Sequence, residues 1–166
     1  MNKIILALLM LTTSLTTTTS LAEDFTLYLV RHAEKQSDRK DPSLTRCGML
    51  RANQLAEMLK HIEINAVYST HYKRTMATAR PTANAKNVSV IQYAPNGLEQ
   101  LVRTLKAKQQ NALVVGHSNT TPQLVALLTG NNIVPMTEKE YQHFFQIQIS
   151  GKKVTAVDIT QPLRCN

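Results

Sequence analysis

Three short apolar segments of this chain each run into residues that can bind or attack a phosphoryl group. The segments are FTLYLV at 25–30, NAVYS at 65–69 and ALVVG at 112–116. The first is followed by Arg31 and His32, the second ends on Ser69 and is followed by Arg74, and the third is followed by His117. A guanidinium group pairs bidentately with phosphate oxygens, and a neutral imidazole can attack phosphorus to form a phosphohistidine. The chain therefore carries the groups needed to transfer a phosphoryl group onto histidine.

These groups meet only if the apolar segments are neighbouring parallel strands. Segments of helical periodicity separate them, at 44–61, 72–79, 98–108 and 120–128, and a further strand is predicted at 88–93. Thr45 suits the N-cap of the first helix, Pro81 is expected to disturb or restart the second, and Pro122 fits the first turn of the last. Alternating strands and helices predict an α/β fold, in which the carboxyl ends of the parallel strands form the ligand-binding edge.

The end of the chain has a different pattern. Two strand-like segments, 143–149 and 153–160, are separated by Ser150-Gly151-Lys152, which predicts a β-hairpin. We therefore predict a three-layer αβα sandwich with a mostly parallel sheet and an antiparallel C-terminal edge hairpin. No repeat or interdomain linker interrupts residues 23–166, which are expected to form one domain.

The first 22 residues have the pattern of a secretory signal peptide. Lys3 gives a positive start, residues 4–11 are apolar, and Ser20-Leu21-Ala22 resembles a cleavage site. The apolar run is too short to span a membrane, and a tethering helix or a disordered start are the alternatives. Removal would leave 144 residues, and we expect a periplasmic or secreted protein.

The expected mature chain is basic, with 18 Lys and Arg residues against 11 Asp and Glu residues. The excess favours anionic partners, among them phosphorylated small molecules. Nucleic-acid binding is not expected, because aromatic residues make up 5 %, Trp is absent and no dense basic run appears. The sequence leaves the oligomeric state open.

Cys47 and Cys165 are the only cysteines in the sequence. Disulfides persist in exported proteins, so a bridge that fastens the C-terminal tail is one interpretation, and two separate thiols are the other. The sequence contains no CxxC pair or Cys/His zinc pattern, and no metal or other cofactor is expected.

Four motifs together resemble the histidine phosphatase superfamily, also called the phosphoglycerate-mutase-like family. They are RHAE at 31–34, LTRCGMLRANQLA at 44–56, YSTHYKRTMATA at 68–79 and VVGHSNT at 114–120. They follow the family's order and spacing over most of the expected domain, and they look closest to its small, single-domain phosphatase branch.

The resemblance implies roles for named residues. His32 would be the nucleophile that becomes phosphorylated, Arg31 and Arg74 would hold the phosphoryl group, and His117 would complete the pocket. Ser118 and Glu34 would help to bind substrate by orienting the imidazole and guanidinium groups. The family's chemistry requires no metal.

The general acid that protonates the leaving alcohol is the least defined part of this picture. Related enzymes often place a Glu or Asp between the second arginine motif and the second histidine, where this chain has only Glu99. A carboxylate in the first turn of a helix is also favoured by the helix dipole without any catalytic role. Acids from elsewhere in the chain are the alternative: Glu34, Asp38 or Glu138.

The sequence thus predicts an exported phosphatase that acts on phosphomonoesters through a phosphohistidine. A binding module that holds a phosphorylated ligand without turnover is the alternative, because the acid is undefined. Segments 35–43 and 134–141 are expected to shape the outer wall of the pocket, but their composition does not identify the substrate.

Overall fold

A computed structural model describes residues 24–37 and 40–162, which form six strands and four helices. In chain order these are β1 (Phe25–Arg31), α1 (Arg46–Met58), β2 (Ala66–Ser69), α2 (Lys73–Ala85), β3 (Val90–Gln92), α3 (Leu98–Lys108), β4 (Ala112–Gly116), α4 (Thr120–Thr129), β5 (His143–Ser150) and β6 (Lys153–Thr160).

The six strands form one sheet in the order β3-β2-β4-β1-β5-β6. The pairs β1–β4, β2–β4 and β2–β3 are parallel, whereas β1–β5 and β5–β6 are antiparallel. The predicted α/β fold with an antiparallel C-terminal edge hairpin is confirmed. In the centre of the sheet, Arg31 pairs with Gly116 and Ser69 with Val115, so the carboxyl ends of β1, β2 and β4 lie side by side.

Helices cover both faces of the sheet and bury a separate apolar layer on each. Leu55 and Leu59, in and just after α1, pack with Ala79 and Ala83 of α2 on one face. On the other face, α3 and α4 contribute five apolar side chains: Leu101, Leu105, Leu124, Val125 and Leu128. Because the central strands are buried on both faces, they are apolar almost throughout.

Helix α1 begins as predicted. Thr45 is its N-cap, and its hydroxyl accepts a hydrogen bond from the N–H of Gly48 at 3.1 Å. The expectation for Pro81 is wrong, because α2 continues through it to Ala85. Thr78, Ala79, Thr82 and Ala83 are buried on both sides of the proline, so packing against the sheet outweighs the lost backbone hydrogen bond.

Three expectations concern residues outside the described ranges. They are the signal-peptide segment 1–22, the alternative acid Asp38 and the cysteine Cys165. Cys47 is disulfide-bonded, and its pairing with Cys165 stays a prediction. None of the four helices in the described ranges is long and apolar enough to cross a bilayer.

Gly48 allows the β1–α1 loop to close on the start of α1, where the Glu34 carbonyl accepts a hydrogen bond from the N–H of Thr45 at 2.9 Å. A Cβ atom at Gly48 would overlap the same carbonyl oxygen. We expect Gly48→Ala to lower the free energy of unfolding by about 1–3 kcal/mol despite the better helix propensity of Ala. Urea denaturation of the wild type and the variant measures this difference in the free energy of unfolding.

Gly97→Ala is the matched control, because a Cβ there would lie 3.4 Å from the carbonyl oxygen of Ala94, close to ordinary contact. A Gly48→Ala variant as stable as Gly97→Ala would contradict the steric argument.

Candidate active site

A cavity of about 550 Å³ opens where the predicted residues meet, at the carboxyl ends of β1 and β4. Its wall comes from the residues after β1 and β4, from the loops before α2 and α3, from the first turns of α2 and α4, and from the segment that precedes β5. The lining residues are His32, Lys35, Tyr72, Arg74, Pro95, Asn96, His117, Ser118, Asn119, Thr120, Gln123 and Glu138.

His32 is held rigidly at the base of this site. Its backbone N–H donates to the carbonyl of Gly116 at 2.9 Å, which extends the β1–β4 ladder by one residue. Its side chain is buried, and Nδ1 lies 2.8 Å from the carbonyl oxygen of Ala33. Since a carbonyl can only accept, Nδ1 carries the proton, and Nε2 has a free lone pair.

The environment of His32 keeps the imidazole neutral. Burial lowers the pKa of His32 to about 3, and the nearby charges of Arg31 and Arg74 act in the same direction, as does His117. The hydrogen bond to Ala33 opposes the shift without cancelling it. His32 is therefore a neutral nucleophile across the range in which an ordinary imidazole titrates.

His117 faces His32, with ring centroids 5.6 Å apart. Its Nδ1 lies 3.4 Å from Nη2 of Arg74, and its Nε2 lies 3.0 Å from the hydroxyl of Thr70. An arginine can only donate, so Nδ1 accepts and the proton is on Nε2, which donates to Thr70. Burial, followed by the charges of Arg74 and Arg31, lowers the pKa of His117 to about 4.

Arg74 enters the cavity from the first turn of α2. Its Nη1 lies 3.6 Å from a carboxylate oxygen of Asp41, and its guanidinium carbon lies 4.6 Å from the centre of the Tyr72 ring. Its buried Nε has no hydrogen-bond partner among the described residues. This donor is available to an anion.

Arg31 is buried beneath the segment that precedes β5. Its Nη1 donates to the carbonyl oxygens of Thr137 and Glu140 at 2.7 and 3.0 Å, and its Nη2 donates to a Glu138 oxygen at 3.1 Å. The Tyr141 ring covers the guanidinium carbon at 4.3 Å. Within the described part of the chain, Nε has no partner. The Nε–Nη2 edge, which is the fork that fits two phosphate oxygens, is thus held only by Glu138.

Glu138 connects the guanidinium group of Arg31 with the hydroxyl group of Ser118. One carboxylate oxygen pairs with Arg31, and the other accepts a hydrogen bond from the Ser118 hydroxyl at 2.7 Å. Its side chain is 69 % exposed and lines the cavity, whereas Arg31 does not line it in this conformation. The Ser118 hydrogen bond has the largest effect and lowers the pKa of Glu138. Burial opposes it, and the charges of Arg31 and Lys35 lower the pKa further.

The structure places two predicted carboxylates outside the cavity. Glu34 forms an ion pair with Arg51, whose Nη2 lies 2.6 Å from Oε1, so it orients that guanidinium and not Arg31 or Arg74. The side chain of Glu99 is 81 % exposed on α3 and lies 4.0 Å from Arg103. The helix-dipole interpretation of Glu99 fits this position.

Several supporting contacts were not predicted. Thr70 orients His117, and Tyr141 covers Arg31. The Thr78 hydroxyl accepts from the N–H of Ala33 at 3.0 Å and donates to the Arg74 carbonyl at 2.8 Å, which fastens α2 to the end of β1. Only the spacing of Thr78, one helical turn after Arg74, offers a signal in the sequence.

Metal-ligating side chains are scattered over the described residues. Among them, no group of three or more His, Cys, Asp or Glu side chains could hold a metal ion. The cavity instead offers the guanidinium group of Arg74 and two neutral imidazoles, with Arg31 buried behind Glu138, and guanidinium and imidazole groups suit a tetrahedral oxyanion.

Comparison with known proteins finds a family match in the sequence and a shared fold in solved structures. The family model for the histidine phosphatase superfamily (branch 1) matches residues 27–96. Phosphoserine phosphatase 1 from Hydrogenobacter thermophilus is 39 % identical over 72 residues, which cover 39 % of this chain and 34 % of that protein. The match thus spans about a third of the relative's length.

Two solved structures share the fold. The protein histidine phosphatase SixA complexed with tungstate has a TM-score of 0.68 at 18 % identity, with 81 % of this chain and 96 % of that chain covered. The alpha-ribazole phosphatase from Shigella flexneri has a TM-score of 0.67 at 18 % identity, with coverage of 82 % and 96 %. These likenesses concern the fold.

Because the pKa values of His32 and His117 are lowered in the folded protein, we predict that the free energy of unfolding decreases as the pH is lowered. In the unfolded chain both imidazoles take up a proton near pH 6.5, whereas in the folded chain they do so only near pH 3 and 4. Stability is therefore fully present above pH 6.5 and falls as the pH drops toward 4, by on the order of 1–2 kcal/mol per histidine between pH 7 and pH 5. Urea denaturation at the two pH values measures the loss.

The His32→Asn variant should lose less stability over this interval, because one of the two buried imidazoles is gone. His61→Asn, at an exposed position after α1, should behave like the wild type. Equal pH dependence in wild type and His32→Asn would rule out a buried neutral His32.

Proposed function

Because this chain belongs to the histidine phosphatase superfamily, we propose that it is an exported phosphatase that hydrolyses phosphomonoesters through a phosphohistidine on His32, without a metal. One observation carries the proposal. Two neutral imidazoles face each other at 5.6 Å, next to two guanidinium groups whose buried Nε atoms have no partner in the described part of the chain. Export is supported by the signal-peptide pattern of residues 1–22.

In the first step, the Nε2 lone pair of His32 attacks phosphorus. A P–N bond forms and the ester P–O bond breaks, and its electron pair leaves with the alcohol oxygen. Arg74 and Arg31 neutralise the equatorial oxygens, and their charge is effective because both guanidinium groups are largely buried. The leaving oxygen then needs a proton.

We assign this proton to Glu138, which lines the cavity beside His32. A phosphoryl dianion would compete for the donors that Glu138 now uses, Nη2 of Arg31 and the Ser118 hydroxyl. Without these partners, and next to two negative charges, the carboxylate loses the interactions that lower its pKa. Substrate binding thus releases Glu138 and favours its protonated form.

In the second step, water attacks the phosphohistidine. The P–N bond breaks, its electron pair returns to Nε2 of His32, and a P–O bond forms. Glu138, ionised by the first step, accepts the proton of the water, as expected for one residue that serves as acid and then as base. The product of this step is inorganic phosphate. As phosphate leaves, Glu138 pairs with Arg31 again and returns to solvent the proton that it took up when substrate bound, which restores the free enzyme.

The nucleophile is tested with p-nitrophenyl phosphate. We expect His32→Ala to release nitrophenol at least about 10³-fold more slowly than the wild type, because the P–N bond cannot form. His61→Ala should retain full activity. Tungstate and vanadate should inhibit, and EDTA should leave the rate unchanged. Inhibition by EDTA that zinc reverses would contradict the metal-independent mechanism.

The acid is tested with two classes of leaving group. An alkyl phosphate needs protonation of the leaving oxygen, whereas p-nitrophenolate leaves without it. We expect Glu138→Gln to lower kcat/KM for glycerol 2-phosphate by about 10²-fold or more, and for p-nitrophenyl phosphate by less than tenfold.

Glu57→Gln is the matched control and should change neither value, because Glu57 is exposed on α1. Glu99→Gln tests the other candidate acid and should not lower the value for glycerol 2-phosphate selectively, because Glu99 does not line the catalytic cavity. If only Glu99→Gln lowers kcat/KM for glycerol 2-phosphate, Glu99 is the general acid. If Glu138→Gln lowers kcat/KM equally for both substrates, Glu138 does not protonate the leaving group.

A binding module is the second candidate, and the Glu138–Arg31 pair is the observation that favours it. If Glu138 does not leave Arg31, the cavity would hold an anion through Lys35, Arg74 and the histidines, without Arg31. The p-nitrophenyl phosphate assay distinguishes the two, because a binding module would bind tungstate and release no nitrophenol at any pH between 5 and 8.

A further inference from the structure

We propose that a second cavity, beside the catalytic one, binds the leaving group of the substrate and selects phosphomonoesters of alcohols with an uncharged, apolar body. The proposal rests on the proposed phosphatase function and extends it to a class of substrate. It is carried by the position of the second cavity and by the chemistry of its lining.

The second cavity lies between the start of α3 and the exposed side of α4 and measures about 610 Å³. It shares three lining residues with the catalytic cavity: Pro95, Asn96 and Gln123. The two cavities are therefore adjoining parts of one groove. Each is within the size range of small-molecule sites, so a phosphoryl group held by His32 leaves the adjoining part free for the rest of a substrate.

The lining changes in character along the groove. The catalytic part carries the cationic side chains of Lys35 and Arg74. Amide side chains of Asn96 and Gln123 form the boundary, where they can bind hydroxyl or carbonyl groups near the ester oxygen. The groove thus passes from a strongly charged region to an uncharged polar one.

Beyond the boundary, apolar side chains share the lining with Gln100 and one ion pair. Leu98, Ala126 and Leu127 contribute to it, and Leu127 is 45 % exposed although it is a large apolar residue. The charged groups of this part are Glu99 and Arg103, which are 4.0 Å apart and balance each other. A charged leaving group would gain little here, whereas an alkyl or aromatic body would cover Leu127.

The experiment compares n-alkyl monophosphates from ethyl to octyl, below their micelle concentrations, by release of inorganic phosphate. Burial of each methylene can raise kcat/KM by up to about fourfold. We expect a rise of at least tenfold from ethyl to octyl phosphate in the wild type, mainly through a lower KM. Leu127→Gln should flatten this dependence and leave the rate with ethyl phosphate unchanged.

Leu50→Gln is the matched control, because Leu50 is a similarly exposed leucine, 53 % accessible, on α1. It should retain the wild-type chain-length dependence. A wild-type kcat/KM that is equal for ethyl and octyl phosphate would overturn the proposal. A dependence that survives unchanged in Leu127→Gln would overturn it as well.

Failure of the phosphatase function gives a different result, in which no alkyl phosphate is hydrolysed. Chain-length selectivity is then measured as dissociation constants of the same compounds by calorimetry. The groove predicts tighter binding of octyl than of ethyl phosphate in the wild type, and loss of this difference in Leu127→Gln. Equal binding of both compounds by the wild type would refute the groove without reference to catalysis.

Discussion

The site depends on the parallel pairing of β1 with β4. That register places Arg31 opposite Gly116 and lets the N–H of His32 donate to the Gly116 carbonyl, so two histidines 85 residues apart in sequence follow paired strand ends. Gly116 is itself required there, because a Cβ would lie 2.9 Å from the hydroxyls of both Thr120 and Thr121. The same packing seats the first turn of α4 beneath His117.

Burial determines the chemistry that this pairing makes possible. An exposed histidine would be partly protonated near neutral pH, and its lone pair would be unavailable for attack. Desolvation and the neighbouring guanidinium groups keep His32 and His117 neutral, so positive charge in the site belongs to the arginines. The nucleophile and the groups that bind the anion are thereby separated, and Glu138 balances part of the positive charge until substrate arrives.

The sequence was sufficient to predict most of the fold and the residues that surround the cavity. Arg31, His32, Arg74 and His117 follow strands whose apolar composition and helical spacers identify a parallel sheet, and the bounds of α3 and β4 match those predicted. Carboxylates could not be placed in this way. Glu99 lies on the expected segment, but its side chain does not line the catalytic cavity, because helix position alone does not define which side chains reach that cavity. Glu138 reaches it through a loop held by Arg31, a contact between residues 107 positions apart that no local pattern encodes.

The most direct test of this account is to identify the phosphorylated residue during turnover. The enzyme is mixed rapidly with substrate, quenched without acid, digested and analysed by mass spectrometry. The account predicts one acid-labile phosphoryl group, on the peptide that contains His32, and none in His32→Ala. Phosphate release with the label on His117, or with no labelled histidine under conditions that trap phosphohistidine, would contradict it.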